Sequence, residues 1–155
     1  MLCNCYFACM NDFKAESAGY LANHMARLFE KGLYRRIEPL GLAPAQFMTL
    51  LVLWEQDGIT QQDLRLRLDV EQATMANTLK RMERDGLIKR RAHKSDKRAR
   101  LIDLTDKACN LREGALAAAK AQNAIALGGL SEQERAQLVS LMKRVIRQMK
   151  TPNAL

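Results

Sequence analysis

The apolar residues of this chain change their period near Gly86, and that change restricts the folds open to it. Upstream they recur every three or four residues. Leu21, Met25, Leu28, Phe29, Leu33 and Ile37 make one stripe and predict a helix from about Asp12 to Ile37. Pro39 and Gly41 end it, and Pro44 suits the first turn of a second helix carrying Phe47, Leu50, Leu51 and Trp54 and ending near Gly58. Thr60, with Asp63 three residues on, opens a short third helix with Leu64 and Leu68 inward. After a tight turn at Leu68-Asp69-Val70-Glu71, which has no glycine, a fourth helix runs from about Gln72 to Asp85 with Met75, Leu79 and Met82 inward. Gly86 serves as its stop. The alternation then becomes two: Leu87–Arg91 and Arg100–Leu104 read as strands around a polar tip at 93–99. Thr105 caps a long Ala-rich helix to about Leu127, and Gly128-Gly129 breaks it. The capping box Ser131-Glu132-Gln133-Glu134 opens a last helix striped by Leu138, Leu141, Met142, Val145, Ile146 and Met149.

The order is four helices, a hairpin, and two helices. The expected fold class is mainly α with a small β-hairpin wing. Two short helices across a brief turn, followed by a basic hairpin, make a winged helix-turn-helix. Charge supports this reading. The chain of 155 residues carries a formal +8, and residues 80–100 hold ten basic against three acidic side chains, a local +7. A merely solvated surface would spread that charge, whereas a concentrated patch suits an acidic partner such as duplex DNA.

The second helix of such a motif enters the major groove, which shows a distinct donor and acceptor pattern for each base pair. It needs an apolar inner face and a polar outer one. Here the outer face is assigned to Gln72, Thr74, Asn77, Thr78, Lys80 and Arg81. Lys89, Arg91 and Lys94 add cations along the hairpin. At its tip Asp96 can orient Arg98 by a charge-assisted bond, so that the guanidinium enters a narrow minor groove.

Those motifs together resemble the MarR family of bacterial regulators. The resemblance rests on Leu42-Ala43-Pro44-Ala45-Gln46-Phe47, Leu53-Trp54-Glu55, Thr60-Gln61-Gln62-Asp63-Leu64, Ala73-Thr74-Met75, the run Leu79 to Arg90, Asp96-Lys97-Arg98-Ala99 and Leu104-Thr105. It implies a homodimer on pseudo-palindromic operator DNA. A tail and dimerisation helix would occupy 1–37, the DNA-binding lobe 38–105, and C-terminal dimerisation helices 106–155. It also implies a repressor that lets go of DNA when a small phenolic or aromatic acid-like ligand binds between the lobes. The second helix, which carries Phe47, Leu50 and Leu51, borders that cleft in the family, and Phe47 and Leu51 are the residues expected to line it. On the first helix Arg27 could hold a carboxylate, and Tyr20 or His24 a phenol; simple packing at the dimer lobe is the competing reading. The chain departs from the family at Ala43, where a capping Thr or Ser is common, and this predicts a looser start to the second helix.

Cys3, Cys5 and Cys9 are not spaced as a zinc pair, and no metal or cofactor is expected. Cysteine-based oxidant sensors of the family carry the thiol near the start of the first helix, a position that falls near Tyr20 here. Redox sensing through the N-terminal cysteines stays open as an alternative, as does a winged-helix protein-interaction module without an effector. Cys109 is read as a buried small hydrophobe. His93 at the hairpin is read as solvated. No nucleophile–base pattern, phosphate loop or glycine fingerprint points to an enzyme. The apolar runs fall short of the ~20 residues a membrane span needs, no secretory signal stands out, and the cytoplasm is the expected compartment.

Overall fold

The computed structural model describes residues 13–92 and 100–151. After a helical stretch at 13–16, helix α1 spans Ala18–Ile37, α2 Pro44–Glu55, α3 Gln61–Leu68 and α4 Gln72–Arg84. Strands β1 (Ile59–Thr60), β2 (Ile88–Ala92) and β3 (Arg100–Leu104) lie among them. Helices α5 (Asp106–Ala126) and α6 (Glu132–Met149) follow. The expected element order holds, with two corrections. Helix is present from residue 13, as expected, but it is interrupted at Ser17, whose hydroxyl accepts the Tyr20 N–H and caps a fresh start at Ala18. The hairpin gains a third strand. Ile59 and Thr60 pair antiparallel with Ile102 and Leu101, giving the sheet order β1-β3-β2. A strand of two residues is too short to show a period, so the sequence pattern could not reveal it.

Local chemistry fixes most boundaries. Thr60 and Asp63 cap α3 reciprocally: the Asp63 N–H donates to Thr60 Oγ1 (3.1 Å) and the Thr60 N–H to the Asp63 carboxylate (3.1 Å). Ser131 and Glu134 do the same for α6. Thr105 Oγ1 accepts the Ala108 N–H at the start of α5 and donates back to the Gly86 carbonyl. The turn without glycine closes through Asp69, left-handed at φ 51°, a conformation that aspartate tolerates better than most side chains. Gly86, at φ 70°, ends α4 and starts β2.

The core lies under α4. Met75, Leu79 and Met82 pack with Leu50 and Leu53 of α2, Leu64 of α3 and Ile102 of β3, and all seven are essentially solvent-free. Phe47 and Trp54 meet edge to face, 6.2 Å between centroids, and the Trp54 indole N–H donates to the Ala108 carbonyl of α5 (3.1 Å). The loop before β1 is latched to the sheet by Asp57, whose carboxylate accepts the Leu104 N–H (2.9 Å).

The two long apolar stripes behave differently. In α1 only Ile37 is buried, while Leu21 and Leu28 are 49% and 59% exposed. Helix α6 buries none of its residues, and Val145 and Met149 are 58% and 65% exposed. Cys109 is exposed, which corrects the expectation of a buried thiol: Ala108 and Ala115 form the inward face of α5, and position 109 points away from it.

The α3 cap generates a pH prediction. The Thr60 hydroxyl, then the Thr60 N–H, hold the Asp63 carboxyl below its ordinary value. A depressed folded-state pKa contributes stability fully above the unfolded value, near ~3.9, and loses it as the pH falls through the folded one. Thr60→Ala is expected to cost about 1 kcal/mol at pH 7 and distinctly less at pH ~3, read from denaturant melts at both. An equal cost at the two pH values would show that the carboxylate is not held by Thr60.

Candidate nucleic-acid interface

Helix α4 stands on its apolar side and turns a polar side outward. Gln72, Thr74, Asn77, Lys80 and Arg81 are exposed on it, as expected. Thr78 is not. It is 9% exposed, and its hydroxyl donates to the Thr74 carbonyl one turn back (2.9 Å), so it belongs to the inner face. Thr78 lies three residues after Met75 and four before Met82, a spacing that places it with them; its polar side chain hid that. Arg84 was missed by the outer-face reading, although it follows Asn77 and Lys80 at helical spacing. It is exposed, and its Nε donates to the Asp85 carboxylate (2.8 Å).

The hairpin base is braced before any partner arrives. The Arg91 guanidinium meets Asp103 of β3 with two donors, at 2.9 and 3.1 Å. That bidentate pair raises the Arg91 pKa further and fixes the side chain against the sheet. Arg91 was expected as a free cation on the hairpin; it is instead half-committed to Asp103. Arg90 lies 3.1 Å from Glu83, tying β2 to the last turn of α4. Lys89 remains exposed. Lys94, Asp96, Arg98 and His93 lie outside the described residues, as do Cys3, Cys5 and Cys9.

A cleft of about 610 Å³ opens between α1, α2 and α5. Phe29 and Leu33, Phe47, Met48 and Leu51, and Leu116 and Ala119 make its walls, with Glu30, Lys120 and Asn123 as polar groups. Phe47 and Leu51 were expected there. Tyr20, His24 and Arg27 do not line it, which corrects that grouping. Tyr20 and His24 make an edge-to-face pair, 6.3 Å between centroids, on the exposed side of α1. Arg27 borders a separate shallow recess with Glu30, Lys31 and Tyr34. Three-to-four spacing did group the three side chains on one face, but none of them lines the cleft; Arg27 reaches only the recess that Pro44 closes at the start of α2. Lys120 on α5 is the cation the cleft offers, and only the packing of α5 across α1 reveals it. Among the described residues no group of three or more His, Cys, Asp or Glu is placed to hold a metal.

A MarR family model matches residues 42–99. Over 80 residues the chain is 35% identical to the organic hydroperoxide resistance transcriptional regulator of Bacillus subtilis (strain 168), covering 52% of this chain and 54% of that protein. It thus spans about half the length of that curated relative. A solved structure of a probable transcriptional regulator from Pseudomonas aeruginosa is 30% identical, with a TM-score of 0.79 over 84% of this chain and 98% of that one. The chain belongs to the MarR family. A crystal structure of the transcriptional regulator SlyA, 27% identical, superposes with a TM-score of 0.80 over 86% of this chain and 94% of its own.

Within this MarR-family fold the family match begins at Leu42, two residues before α2, and ends at residue 99, one residue before β3. It leaves out α1, α5 and α6, so of the three helices that wall the cleft only α2 lies within the matched residues.

The interface generates separable expectations. Asn77→Ala should relax preference at particular base pairs, costing ~1–3 kcal/mol on the best duplex. Lys89→Ala should weaken all duplexes alike and flatten the salt dependence by about one unit. Thr78→Ala should change stability and leave base preference alone. Selection from a random duplex pool, repeated for each variant, checks all three. A changed preference in Thr78→Ala would reverse the assignment of faces.

Proposed function

We propose that this chain is a DNA-binding transcription regulator that acts as a homodimer on pseudo-palindromic sites, a repressor released by a small phenolic or aromatic acid-like ligand. The observation that carries the first part is α4 itself: a polar face of Asn77, Lys80, Arg81 and Arg84 lies over a dry core, next to a braced basic hairpin. Such a helix fits the major groove, and the hairpin would follow the backbone toward the minor groove. The names of the relatives agree, since the Bacillus subtilis and Pseudomonas aeruginosa proteins are both called transcriptional regulators.

The dimer is supported by apolar surface that one chain leaves in water. Leu21 and Leu28 on α1, with Leu141, Val145, Ile146 and Met149 on α6, are all at least 45% exposed. Helical stripes of this length on a monomer mark a protein interface, and a second copy with the same stripes closes it by two-fold symmetry. Residues 38–105 would then be the reading lobe, and the flanking helices the dimer lobe. Two such lobes should span half-sites ~10 bp apart.

For the ligand, the cleft beside α2 is the site we assign, with Phe47 and Leu51 as walls and Lys120 as partner for an acidic group. A second reading, thiol sensing, has two observations behind it. Cys109 is exposed, and the Bacillus subtilis relative is named for organic hydroperoxide resistance.

Leu141→Asp with Val145→Asp is expected to give monomers or unfolded chain. Sedimentation at micromolar concentration checks this, and a stable wild-type monomer would refute the dimer. For the ligand, a thermal-shift screen of aromatic acids should find compounds that raise Tm in the wild type. The shift should fall in Leu51→Ala and persist in Tyr20→Ala. Release of operator DNA by mild peroxide, abolished by Cys109→Ser, would favour the thiol reading instead.

A further inference from the structure

We propose that Gln46 is a positioning residue for DNA recognition: its carboxamide ties the start of α2 to the end of α4 and sets the angle at which α4 is presented. The inference rests on the reading of α4 as the recognition helix.

Gln46 is 5% exposed, and both ends of its amide are used. Its Oε1 accepts the Ala43 N–H (2.9 Å). Its Nε2 donates to the Asp85 carboxylate (2.8 Å). The first bond answers the missing cap at Ala43. That residue has no hydroxyl to offer, yet the start of α2 is held from within the helix, so the expected looseness does not arise.

Asp85 is where the second bond gains its reach. It is the C-cap residue of α4, and its backbone N–H still bonds to the Arg81 carbonyl (2.9 Å). Its carboxylate also takes Arg84 Nε (2.8 Å), and its carbonyl accepts Lys107 Nζ from α5 (2.8 Å). Three helices therefore meet at one residue, immediately before Gly86 turns the chain into β2. Arg84, and then Gln46, hold the Asp85 carboxyl below its ordinary value, so it is a charged acceptor at neutral pH. A charge-assisted bond in a half-buried place is stronger and more directional than a neutral one. Elsewhere α4 is held by packing, which resists separation better than it resists rotation, and by the exposed-side pair of Glu83 with Arg90; Gln46–Asp85 supplies the directional contact that reaches α2.

The amide satisfies both neighbours in one orientation only: oxygen to the Ala43 N–H, nitrogen to the carboxylate. Gln46→Glu keeps an acceptor for Ala43 but sets a carboxylate against Asp85. Adding Asp85→Asn restores a donor across the gap with reversed polarity. The rescue separates this contact from the general cost of altering a buried position.

The experiment compares wild type, Gln46→Glu and the Gln46→Glu/Asp85→Asn pair in full-length chain. Binding is measured to the best duplex selected by the wild type and to a scrambled duplex, at equal salt. Expected is a roughly ten-fold loss of discrimination in Gln46→Glu, with scrambled-duplex affinity within about three-fold of wild type, and recovery in the pair. A merely structural role would lower both affinities together, with the melting temperature. Hydrogen exchange without DNA forms the second arm. Faster exchange at Asp85 and Gly86 in Gln46→Glu, reversed in the pair, is expected. Unchanged exchange, or faster exchange with unchanged discrimination, overturns the proposal. If the wild type prefers no duplex, the DNA reading fails and the positioning role with it, while the exchange arm still decides whether Gln46 pins α4.

Discussion

The structure depends on the burial of one side of a thirteen-residue helix, α4. Met75, Leu79 and Met82 are dry there, and each such side chain contributes roughly 1.5–3 kcal/mol on leaving water. An isolated helix of that length is marginal in water. Its order comes from the platform beneath it, built by Leu50 and Leu53 of α2, Leu64 of α3 and Ile102 of β3. The polar face can therefore be chosen freely for a partner, because it contributes almost nothing to holding the helix in place. Thr78 shows the limit of that freedom. Sitting at the margin of the platform, it turns its hydroxyl onto the Thr74 carbonyl and leaves the outer face.

Apolar surface is divided unevenly along the chain. The core under α4 is closed within the chain, with Ile37, Ala108 and Ala115 contributed by the flanking helices, whereas α6 buries nothing and α1 buries only its last residue. Both groups of stripes look alike in sequence, since period alone reports that a face wants burial and not what will bury it. In α4 the partner is the same chain. For α1 and α6, dimerisation supplies one in the function we propose.

What the sequence disclosed follows from this. Helices long enough to show a period, and caps with reciprocal side chains such as Thr60–Asp63 and Ser131–Glu134, were legible because their causes are local. Strand β1 was not, because two residues of pairing are decided by Ile102 and Leu101 some forty residues away. The same distinction governs the site. The exposed side of α4 follows from helical spacing, and five of the six outer-face assignments stand exposed there. Arg91's commitment to Asp103 depends on strand register, which fixes who lies diagonally opposite. The cleft was half legible: Phe47 and Leu51 belong to the motif-rich second helix, but Lys120 enters it only because α5 packs along α1. Cys109 failed for the reverse reason, since one residue of helical phase separates it from Ala108.

Helix α2 is the element that these observations share. One side of it, through Met48 and Leu51, walls the cleft; another, through Leu50 and Leu53, is the floor beneath α4. Phe47 belongs to both, and it leans on Trp54, which is bonded to α5. Close-packed interiors do not yield by degrees, so a displacement of α2 by a bound molecule has few places to go. Its start is joined by Gln46 to Asp85, and Asp85 in turn to α5 through Lys107. Under the proposed function, a ligand in the cleft would act on the same helix that holds the end of α4. In a repressor of the kind proposed, release from DNA needs no path beyond α2: the wall of the ligand site and the support of the recognition helix are opposite sides of one rigid rod.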